Sequence, residues 1–352
     1  MAENTKIQWA DDSVNAWWGC THRGPGCLNC YAEAFTSRMH GKGAFWGPNK
    51  PRLYCKNWES TLRKLNTKAE KAGVPRVVFV NSMSDFFEDD RPLVGPKITS
   101  GDDAGLHPTM WHGPRKRNGV VGEGVVGSGD MLMWPHHAGQ PPKFVEGYRH
   151  ATTGDLRTEF FRVADECTWL RLLLLTKRPE NIERMWPCAG AVDAPASVGV
   201  GHHRPNVWLG TSIACQEDAD RNVPELLKCR DLCAKTFLSV EPLIGPVDLD
   251  EALSGTGPVV RCAHDGIEGA KVDWVIVGGE SGPNARPCNV EWIRSIVAQC
   301  KAAGVPVFVK QWGSNPHYTN HQGDSHSCGP IRDPKGGDPE EWPEDLRVRE
   351  VP

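Results

Sequence analysis

The sequence predicts an α/β fold, in the form of a complete or partial (β/α) barrel with a long insertion. Three observations predict it. Short apolar runs recur along the chain, most of them precede a helical pattern, and the runs are continuous rather than alternating. Continuous apolar runs are typical of strands that are buried on both faces of a parallel sheet. Repeated strand–helix units of this kind favour an α/β barrel.

The predicted elements follow one another in a regular order. A short strand is expected near Val14–Trp18, and six apolar runs follow it: 76–81, 170–175, 206–210, 236–240, 273–278 and 305–309. Residues 57–72 are rich in helix formers and end at Gly73, and Asn289 can cap a helix that ends before Gly304. The chain therefore predicts about seven β/α units.

One long segment interrupts this order. Residues 92–150 are rich in Gly, Pro and His and show no sustained periodicity. Because a structureless stretch of this length is uncommon in a compact domain unless it is functional, we interpret it as an insertion at the barrel mouth that acts as a lid or contacts nucleic acid. The predicted organisation is a barrel over 1–313 and a surface-wrapping tail over 314–352.

Composition limits the classes of function. The 352 residues are 39% hydrophobic and 24% charged, which is ordinary for a globular protein and excludes wholesale disorder. The formal net charge of −4 excludes a global cationic field, so contact with nucleic acid would need a local patch. The sequence has neither a signal-peptide pattern nor an apolar stretch of about 18 residues. We expect a cytoplasmic protein without a membrane span.

The most specific motif is a cysteine cluster. Of 13 cysteines, Cys20, Cys27 and Cys30 fall close together in a C-x6-C-x2-C pattern that precedes a helical segment. Three such thiolates can hold three irons of a [4Fe–4S] cluster and leave the fourth iron open. Zinc is an alternative, although a structural zinc site needs a fourth ligand, for which His22 is the nearest candidate. Buried cysteines without a metal are the third reading.

Polar residues stand at the ends of six apolar runs, where an α/β barrel builds its active site. They are Ser82, Ser84, Asp85, Lys177, Arg178, Ser212, Glu241, Glu280 and Lys310. A Gly-rich turn that includes Gly279 could bring backbone N–H groups close to a ligand. We expect these groups to share one site, although helix N-caps use the same residue types.

Aromatic and basic residues are interleaved within the insertion. Trp111 and Trp134 lie near Arg115–Lys116–Arg117 and His136–His137. Such a pattern can stack bases and hold phosphates. A solvated loop is the alternative interpretation.

Taken together, the motifs resemble a phage- and prophage-encoded radical-SAM-like family of uncharacterised proteins, within or close to the radical S-adenosylmethionine (SAM) superfamily. The resemblance is carried by WGC, PGCLNCYAE, NSMSDFF, LLTKRPENI, PNVWLGTSI, LSVEPLIGP, WVIVGGESGPNARP, VFVKQWG and EEWPEDLRVRE. It covers nearly the whole chain except roughly 92–150 and implies a barrel of the radical SAM type. The usual superfamily spacing is C-x3-C-x2-C, whereas six residues separate the first two cysteines here.

The resemblance also implies roles for individual residues. Cys20, Cys27 and Cys30 would ligate the cluster, and its open iron would take the amino and carboxylate groups of SAM. The implied cofactor-binding residues are Tyr31, Ser82, Ser84, Asp85, Arg178, Ser212, Gly279 and Glu280. The implied catalytic residues are Lys177, Glu241 and Lys310.

The expected function is reductive cleavage of SAM to a 5′-deoxyadenosyl radical that modifies a nucleic-acid base or nucleotide, as in phage DNA hypermodification or repair. A reductant such as flavodoxin or ferredoxin would be the partner, and a phage-encoded protein would work in the host cytoplasm. Two alternatives remain open. The protein could be a non-catalytic nucleic-acid-binding protein stapled by zinc or an Fe–S cluster, or a radical SAM enzyme that acts on a peptide or small metabolite.

Overall fold

The computed structural model describes residues 3–97, 107–112, 125–126, 131–134, 149–187, 202–256, 260–261, 266–267, 269–320 and 322–352. The chain divides into two compact units, each assembled from separate segments. The first unit contains Met1–Thr5, Asp11–His22 and Ala32–Leu172. The second unit contains Lys6–Ala10, Arg23–Tyr31 and Leu173–Pro352.

In its described part, the first unit combines short strands with three α-helices. Its elements are β1 (Asp12–Val14), β2 (Trp17–Trp18), α1 (Tyr31–His40, which begins at the last residue of a second-unit segment), β3 (Arg52–Tyr54), α2 (Trp58–Ala72), β4 (Arg76–Val80), β5 (Leu93–Val94), β6 (Thr109–His112), β7 (Val125–Val126), β8 (Met131–Trp134), β9 (Arg149–His150), α3 (Thr153–Glu166) and the start of β10 (Leu170–Thr176). Strands β1 and β4 pair in parallel. Phe86 is the centre of an aromatic core, with ring contacts to Trp17, Phe87, Phe160 and Phe161.

The segment interpreted as an insertion contains strands in its described part. A second sheet has the order β2-β3-β5-β6-β8-β7, and β9 also pairs with β6. These strands are two to four residues long, which is too short to produce a visible period in the sequence. The backbones of Trp111 and Trp134 belong to β6 and β8. Arg115, Lys116, Arg117, His136 and His137 lie outside the described residues.

The second unit carries longer strands that alternate with helices. Its elements are the rest of β10, α4 (Ile182–Met185), β11 (Arg204–Ile213), α5 (Gln216–Lys228), β12 (Cys233–Val240), α6 (Asp250–Ser254), β13 (Val260–Arg261), β14 (Gly266–Ile267), β15 (Trp274–Gly278), β16 (Cys288–Asn289), α7 (Val290–Ala303), β17 (Val307–Gln311), β18 (Pro316–Thr319) and β19 (Ser325–Ser327). Trp274 lies in its core and contacts the rings of Trp9, Trp208, Phe237 and Phe308.

The main sheet has seven strands in the order β1-β4-β10-β11-β12-β15-β17. The pairs β1–β4, β11–β12, β12–β15 and β15–β17 are parallel. Each strand therefore neighbours the main-sheet strand that precedes it in the chain, which confirms the predicted α/β class and is compatible with a partial barrel. The apolar runs were located correctly, because all five residues of β15, for example, are buried.

The predicted helix ends are confirmed by the capping geometry. Asn289 accepts a hydrogen bond from the Glu291 backbone N–H through its side chain, and Gly304 ends α7 with a positive φ of 65°. Gly73 ends α2 in the same left-handed conformation. These are the positions at which an Asn N-cap and a glycine C-cap satisfy otherwise unpaired backbone groups.

The C-terminal segment is part of the second unit and packs on its core. Trp342 is buried and stacks on Trp312, with ring centroids 6.2 Å apart. The Trp274 indole N–H donates to the Glu350 carbonyl over 2.9 Å. Among the described residues, no helix combines the length and the apolar character that crossing a membrane requires.

Candidate functional site

The loop that carries Cys27 belongs to the second unit and is tightly wound. Pro25–Cys27 form a 3-10 turn, and the Cys27 N–H donates to the Gly24 carbonyl over 3.1 Å. Gly24 has a φ of 124°, a conformation that a side chain would strain. The Arg23 backbone N–H lies 3.5 Å from Cys27 Sγ as a hydrogen-bond donor. Cys27 is buried and Cys30 is half-buried.

Cys20 lies in the first unit and is half-buried. Its thiol donates to the Thr21 carbonyl over 3.4 Å. The segment is braced by a fully buried ion pair in which Arg52 makes two hydrogen bonds of 2.9 and 2.7 Å to Glu88. Arg52 also donates to Thr21 Oγ1 over 2.9 Å. Breaking such a buried pair is costly, so the Cys20 segment has a defined backbone position within its unit.

The thiols fit an iron–sulfur cluster by their chemistry, because thiolate sulfur is the ligand such clusters take. The N–H donor to Cys27 Sγ agrees with this, since hydrogen bonds to the sulfurs of such a cluster help to set its reduction potential. Among the described residues, however, no group of three or more His, Cys, Asp and Glu side chains is placed to hold a metal ion. His22, the fourth-ligand candidate for zinc, has its Nε2 atom 2.6 Å from Glu33 Oε2. The donor chemistry and the spacing therefore carry the cluster hypothesis.

The cysteine loop packs directly on strand ends of the second unit. A Cβ added to Gly26 would lie 3.1 Å from the Ala214 Cβ, 3.6 Å from the Pro242 Cδ and 3.9 Å from the Lys177 Cε. Ala214, Pro242 and Lys177 follow β11, β12 and β10, respectively. The Cβ would be in tight contact with Ala214 and at ordinary van der Waals distance from the other two residues, so the loop backbone lies against these three strand ends. This contact joins the cysteine motif to predicted strand-end residues.

Four of the predicted polar residues form a connected cluster at these strand ends, which we call the lysine–glutamate cluster: Lys177, Ser212, Glu241 and Lys310. Lys177 Nζ donates to Ser212 Oγ over 2.6 Å, and Ser212 Oγ donates to the Glu241 carbonyl over 3.1 Å. Lys310 Nζ lies 2.9 Å from Glu241 Oε1. Four of the residues expected to share one site therefore lie together.

One oxygen of Glu241 has an ion-pair partner but no directed hydrogen bond among the described residues. Its side chain is 13% exposed, and Oε2 accepts from Ser239 Oγ over 3.4 Å. The buried Oε1 is close to the Lys310 ammonium group, but no directed hydrogen bond reaches it from the described residues. Oε1 therefore has a charged neighbour, and its capacity to accept a directed hydrogen bond is not used by the described residues.

Glu280 has the opposite character. Its Oε2 accepts from Asn29 Nδ2, from the Arg286 backbone N–H and from Arg286 Nε, each over 2.9 Å, and Oε1 accepts from Arg286 Nη2 over 2.7 Å. Burial alone would raise the pKa of Glu280, but the hydrogen bonds from the Arg286 side chain and backbone and from Asn29 lower it below the ordinary 4.5. Both oxygens are committed to protein donors.

Gly279, expected to approach a ligand, is a glycine for a packing reason. A Cβ there would lie 2.0 Å from the Trp312 carbonyl oxygen. Its N–H donates to the Gln311 carbonyl over 3.0 Å, and its own carbonyl accepts from Gln311 Nε2 over 2.9 Å. The backbone of Trp312 thus occupies the space that a side chain at Gly279 would need.

The remaining predicted site residues have local partners. Arg178 is buried, and its N–H donates to Thr176 Oγ1 over 2.9 Å. Tyr31 is 62% exposed at the start of α1. The other three belong to the first unit: Ser82 accepts from Asn15 Nδ2, Ser84 donates to the Trp17 carbonyl, and Asp85 accepts from the Phe87 N–H.

Sequence reasoning missed the residues that fix the cysteine-bearing segments, namely Asn29, Arg52, Glu88 and Arg286. Asn29 lies between two of the cysteines, and Arg286 lies in the loop after β15 that also carries Glu280. Both are therefore close in sequence to residues that were predicted to belong to the site. Their partners are distant in sequence, as Asn29 and Glu280 are 251 residues apart. A single sequence gives no signal for such a pairing.

The chain belongs to a family described as a protein of unknown function (DUF5131), whose model matches residues 4–94 and 147–333. The matched ranges contain Cys20, Cys27, Cys30 and all the strand-end residues described above. The unmatched stretch between them falls within the segment interpreted as an insertion. A search of curated proteins found no match, and neither did a search of solved structures.

Proposed function

We propose that the protein is a [4Fe–4S] enzyme of the radical SAM type. The observation that supports it best is the packing of the cysteine loop on the strand ends that carry the lysine–glutamate cluster, with Gly26 against Ala214 and Lys177. A loop that served only as a structural staple would have no need of two lysines and a glutamate beside it.

Cys20, Cys27 and Cys30 would hold the cluster. When bound and reduced by one electron, the cluster would supply the reductive cleavage of SAM to a 5′-deoxyadenosyl radical. The chain's own residues would hold the cluster and orient SAM. Thiolates at these three positions provide the ligands, and the Arg23 N–H stabilises negative charge on Cys27 Sγ.

The lysine–glutamate cluster would bind the polar end of a ligand. Lys177 and Lys310 bring two positive charges against the single negative charge of Glu241, so the cluster favours an anionic group such as a carboxylate. Glu241 Oε1 would accept from an ammonium or hydroxyl group of the same ligand. Ser212 orients Lys177 through their 2.6 Å hydrogen bond. Together these groups suit a zwitterion such as the amino-acid end of SAM.

The proposed substrate is a nucleic-acid base or nucleotide, and the proposed reductant is a flavodoxin or ferredoxin in the cytoplasm, that of the host if the protein is phage-encoded. The interleaved aromatic and basic residues of 92–150 support this choice of substrate. The pairing of β6 with β9 suggests a test, because His112 and Arg149 are register partners. A short glycine-rich turn in place of 113–148 would remove β7 and β8 and keep the pairing of β6 with β9. It should abolish salt-dependent DNA or RNA binding and leave SAM cleavage intact. Unchanged nucleic-acid binding would contradict this substrate.

Anaerobic reconstitution tests the proposed reaction. Iron and sulfide per chain would be measured, and 5′-deoxyadenosine would be assayed after addition of dithionite and SAM. We expect about four irons per chain and nucleoside release, both lost in Cys27→Ala and both retained in the control Cys55→Ala. Bound zinc, or a cluster that leaves SAM intact, would overturn the proposal in favour of a stapled binding protein.

A further inference from the structure

Pro25 and Asn29 lie two positions before and two positions after Cys27, and both are held by the loop after β15. Asn29 Nδ2 donates to Glu280 Oε2 and to the Asn284 carbonyl, each over 2.9 Å. Arg286 Nη1 donates to the Pro25 carbonyl, also over 2.9 Å. Cys27 therefore lies between two anchored points, and Cys30 directly follows one of them.

Arg286 can hold Pro25 because Glu280 fixes its orientation. Two side-chain nitrogens and the backbone N–H of Arg286 all donate to the Glu280 carboxylate. The carboxylate is 6% exposed and the guanidinium 23% exposed. A planar guanidinium bound at two edges cannot turn without losing hydrogen bonds to a charged partner. The Pro25 contact is therefore directional.

We propose that Glu280 and Arg286 form a positioning clamp that sets the place of Cys27 and Cys30, rather than a contact for a small ligand. The inference deepens the proposed function, on which it rests only for the identity of the metal group. It reassigns Glu280, because both of its oxygens already accept hydrogen bonds from residues of the clamp. Loss of Arg286 removes the contact at Pro25, and loss of the Glu280 carboxylate removes both the support of Arg286 and one of the two hydrogen bonds of Asn29.

Thiol alkylation of metal-free protein tests the clamp without any dependence on cluster chemistry. A maleimide would be added to the wild type, Arg286→Met, Glu280→Gln and the control Arg294→Met, and labelling of each cysteine followed by mass spectrometry. Arg294 is a suitable control because it also pairs with two carboxylates, those of Glu291 and Asp345. Burial raises the pKa of Cys300 to about 12, so its labelling reports global unfolding.

We expect Arg286→Met and Glu280→Gln to accelerate labelling of Cys27 by at least about tenfold, since local opening governs access to a buried group. Cys300 should stay protected, and Arg294→Met should match the wild type. Arg286→Lys should behave like Arg286→Met, because a lysine cannot bridge the carboxylate and the Pro25 carbonyl in one plane. A role that required only positive charge would be rescued by that lysine.

Labelling of Cys27 within about twofold of the wild type in folded Arg286→Met and Glu280→Gln would overturn the clamp, because opening would then cost the same in each variant. Iron analysis of the same proteins after reconstitution separates the two proposals. A clamp variant that labels fast while the wild type binds no iron leaves the clamp standing and removes the proposed function. Unchanged labelling with a fully loaded wild type does the reverse.

Discussion

Glu241 and Glu280 follow the adjacent strands β12 and β15, yet their carboxylates have different surroundings. Glu280 accepts four hydrogen bonds, three of them from Arg286. Glu241 accepts one side-chain hydrogen bond at Oε2, from Ser239, and none at the buried Oε1 from the described residues. Glu280 is held by hydrogen bonds on both oxygens, whereas Oε1 of Glu241 is held by the Lys310 ion pair, with Nζ 2.9 Å away.

The difference shows how two residues with the same sequence signature can serve different ends. Both are glutamates at the end of an apolar run, and the sequence favoured ligand contacts for both. A carboxylate whose two oxygens both accept hydrogen bonds from the protein stabilises the conformation around it. Glu241, whose Oε1 is held by the Lys310 ion pair, has acceptor capacity that directed hydrogen bonds from the described residues do not fill. We therefore propose loop positioning for Glu280 and ligand binding for Glu241.

Glu241→Gln should give the largest effect on activity. The variant keeps the shape of the side chain but removes the charge that faces Lys310 and the ligand. We expect the rate of 5′-deoxyadenosine formation to fall by about 10²-fold, while the free energy of unfolding changes by less than about 1 kcal/mol. Kinetics and urea denaturation would measure the two quantities. Glu251→Gln on α6 is the control, and equal loss of activity there would contradict the assignment.

Arg286→Met should give the largest loss of stability. It leaves the nearly buried Glu280 carboxylate without its charged partner, and we expect the free energy of unfolding to fall by about 2–3 kcal/mol. The urea midpoint would be compared with that of Arg294→Met, whose pairs are more exposed and worth at most about 1 kcal/mol. Equal midpoints for the two variants would show that the Arg286–Glu280 pair stabilises the protein no more than the exposed pairs of Arg294 do.

Gly278→Ala should disturb Glu241 in a graded way. The new Cβ would lie 2.8 Å from Glu241 Oε1 and 3.1 Å from the Gln311 carbonyl oxygen. Because the carboxylate must move, we expect kcat/KM to fall about tenfold with a stability cost of about 1–2 kcal/mol. Gly245→Ala is the matched control, since a Cβ there meets no atom within 4 Å. Equal kcat/KM values for the two variants would show that activity does not depend on the position of the Glu241 carboxylate.

The smallest effect concerns pH. The pKa of Glu280 is lowered below 4.5 in the folded protein, so the stability it contributes is present above that value and is lost as the pH falls through the folded-state pKa. The difference in unfolding free energy between the wild type and Glu280→Gln should be constant from about pH 5.5 to about pH 8 and shrink below about pH 4.5. A difference that grows on acidification would contradict the clamp geometry.

Much of the fold could be predicted from the sequence, because burial on both faces leaves continuous apolar runs and helix ends leave capping residues. Asn289 and Gly304 are examples, and the structure confirms both. The short strands β5–β9 could not be predicted, since two to four residues carry no period. Their pairing depends on partners that are distant in sequence.

The candidate site was predictable in its members but not in their roles. Spacing and position at strand ends identified Lys177, Glu241 and Glu280. Whether a carboxylate is saturated depends on side chains that tertiary structure supplies, such as Arg286 and Asn29. A sequence shows which residue types reach a strand end, whereas hydrogen-bond saturation is decided only in three dimensions.

The most direct measurement is the electron paramagnetic resonance spectrum of anaerobically reconstituted, dithionite-reduced protein, recorded before and after addition of SAM. We predict the signal of a reduced [4Fe–4S] cluster whose shape changes when SAM is added, because SAM would bind at the iron that no cysteine ligates. The change should be absent in Cys27→Ala. A cluster signal that SAM leaves unaltered, or no cluster at all in the reconstituted wild type, would contradict a radical SAM enzyme.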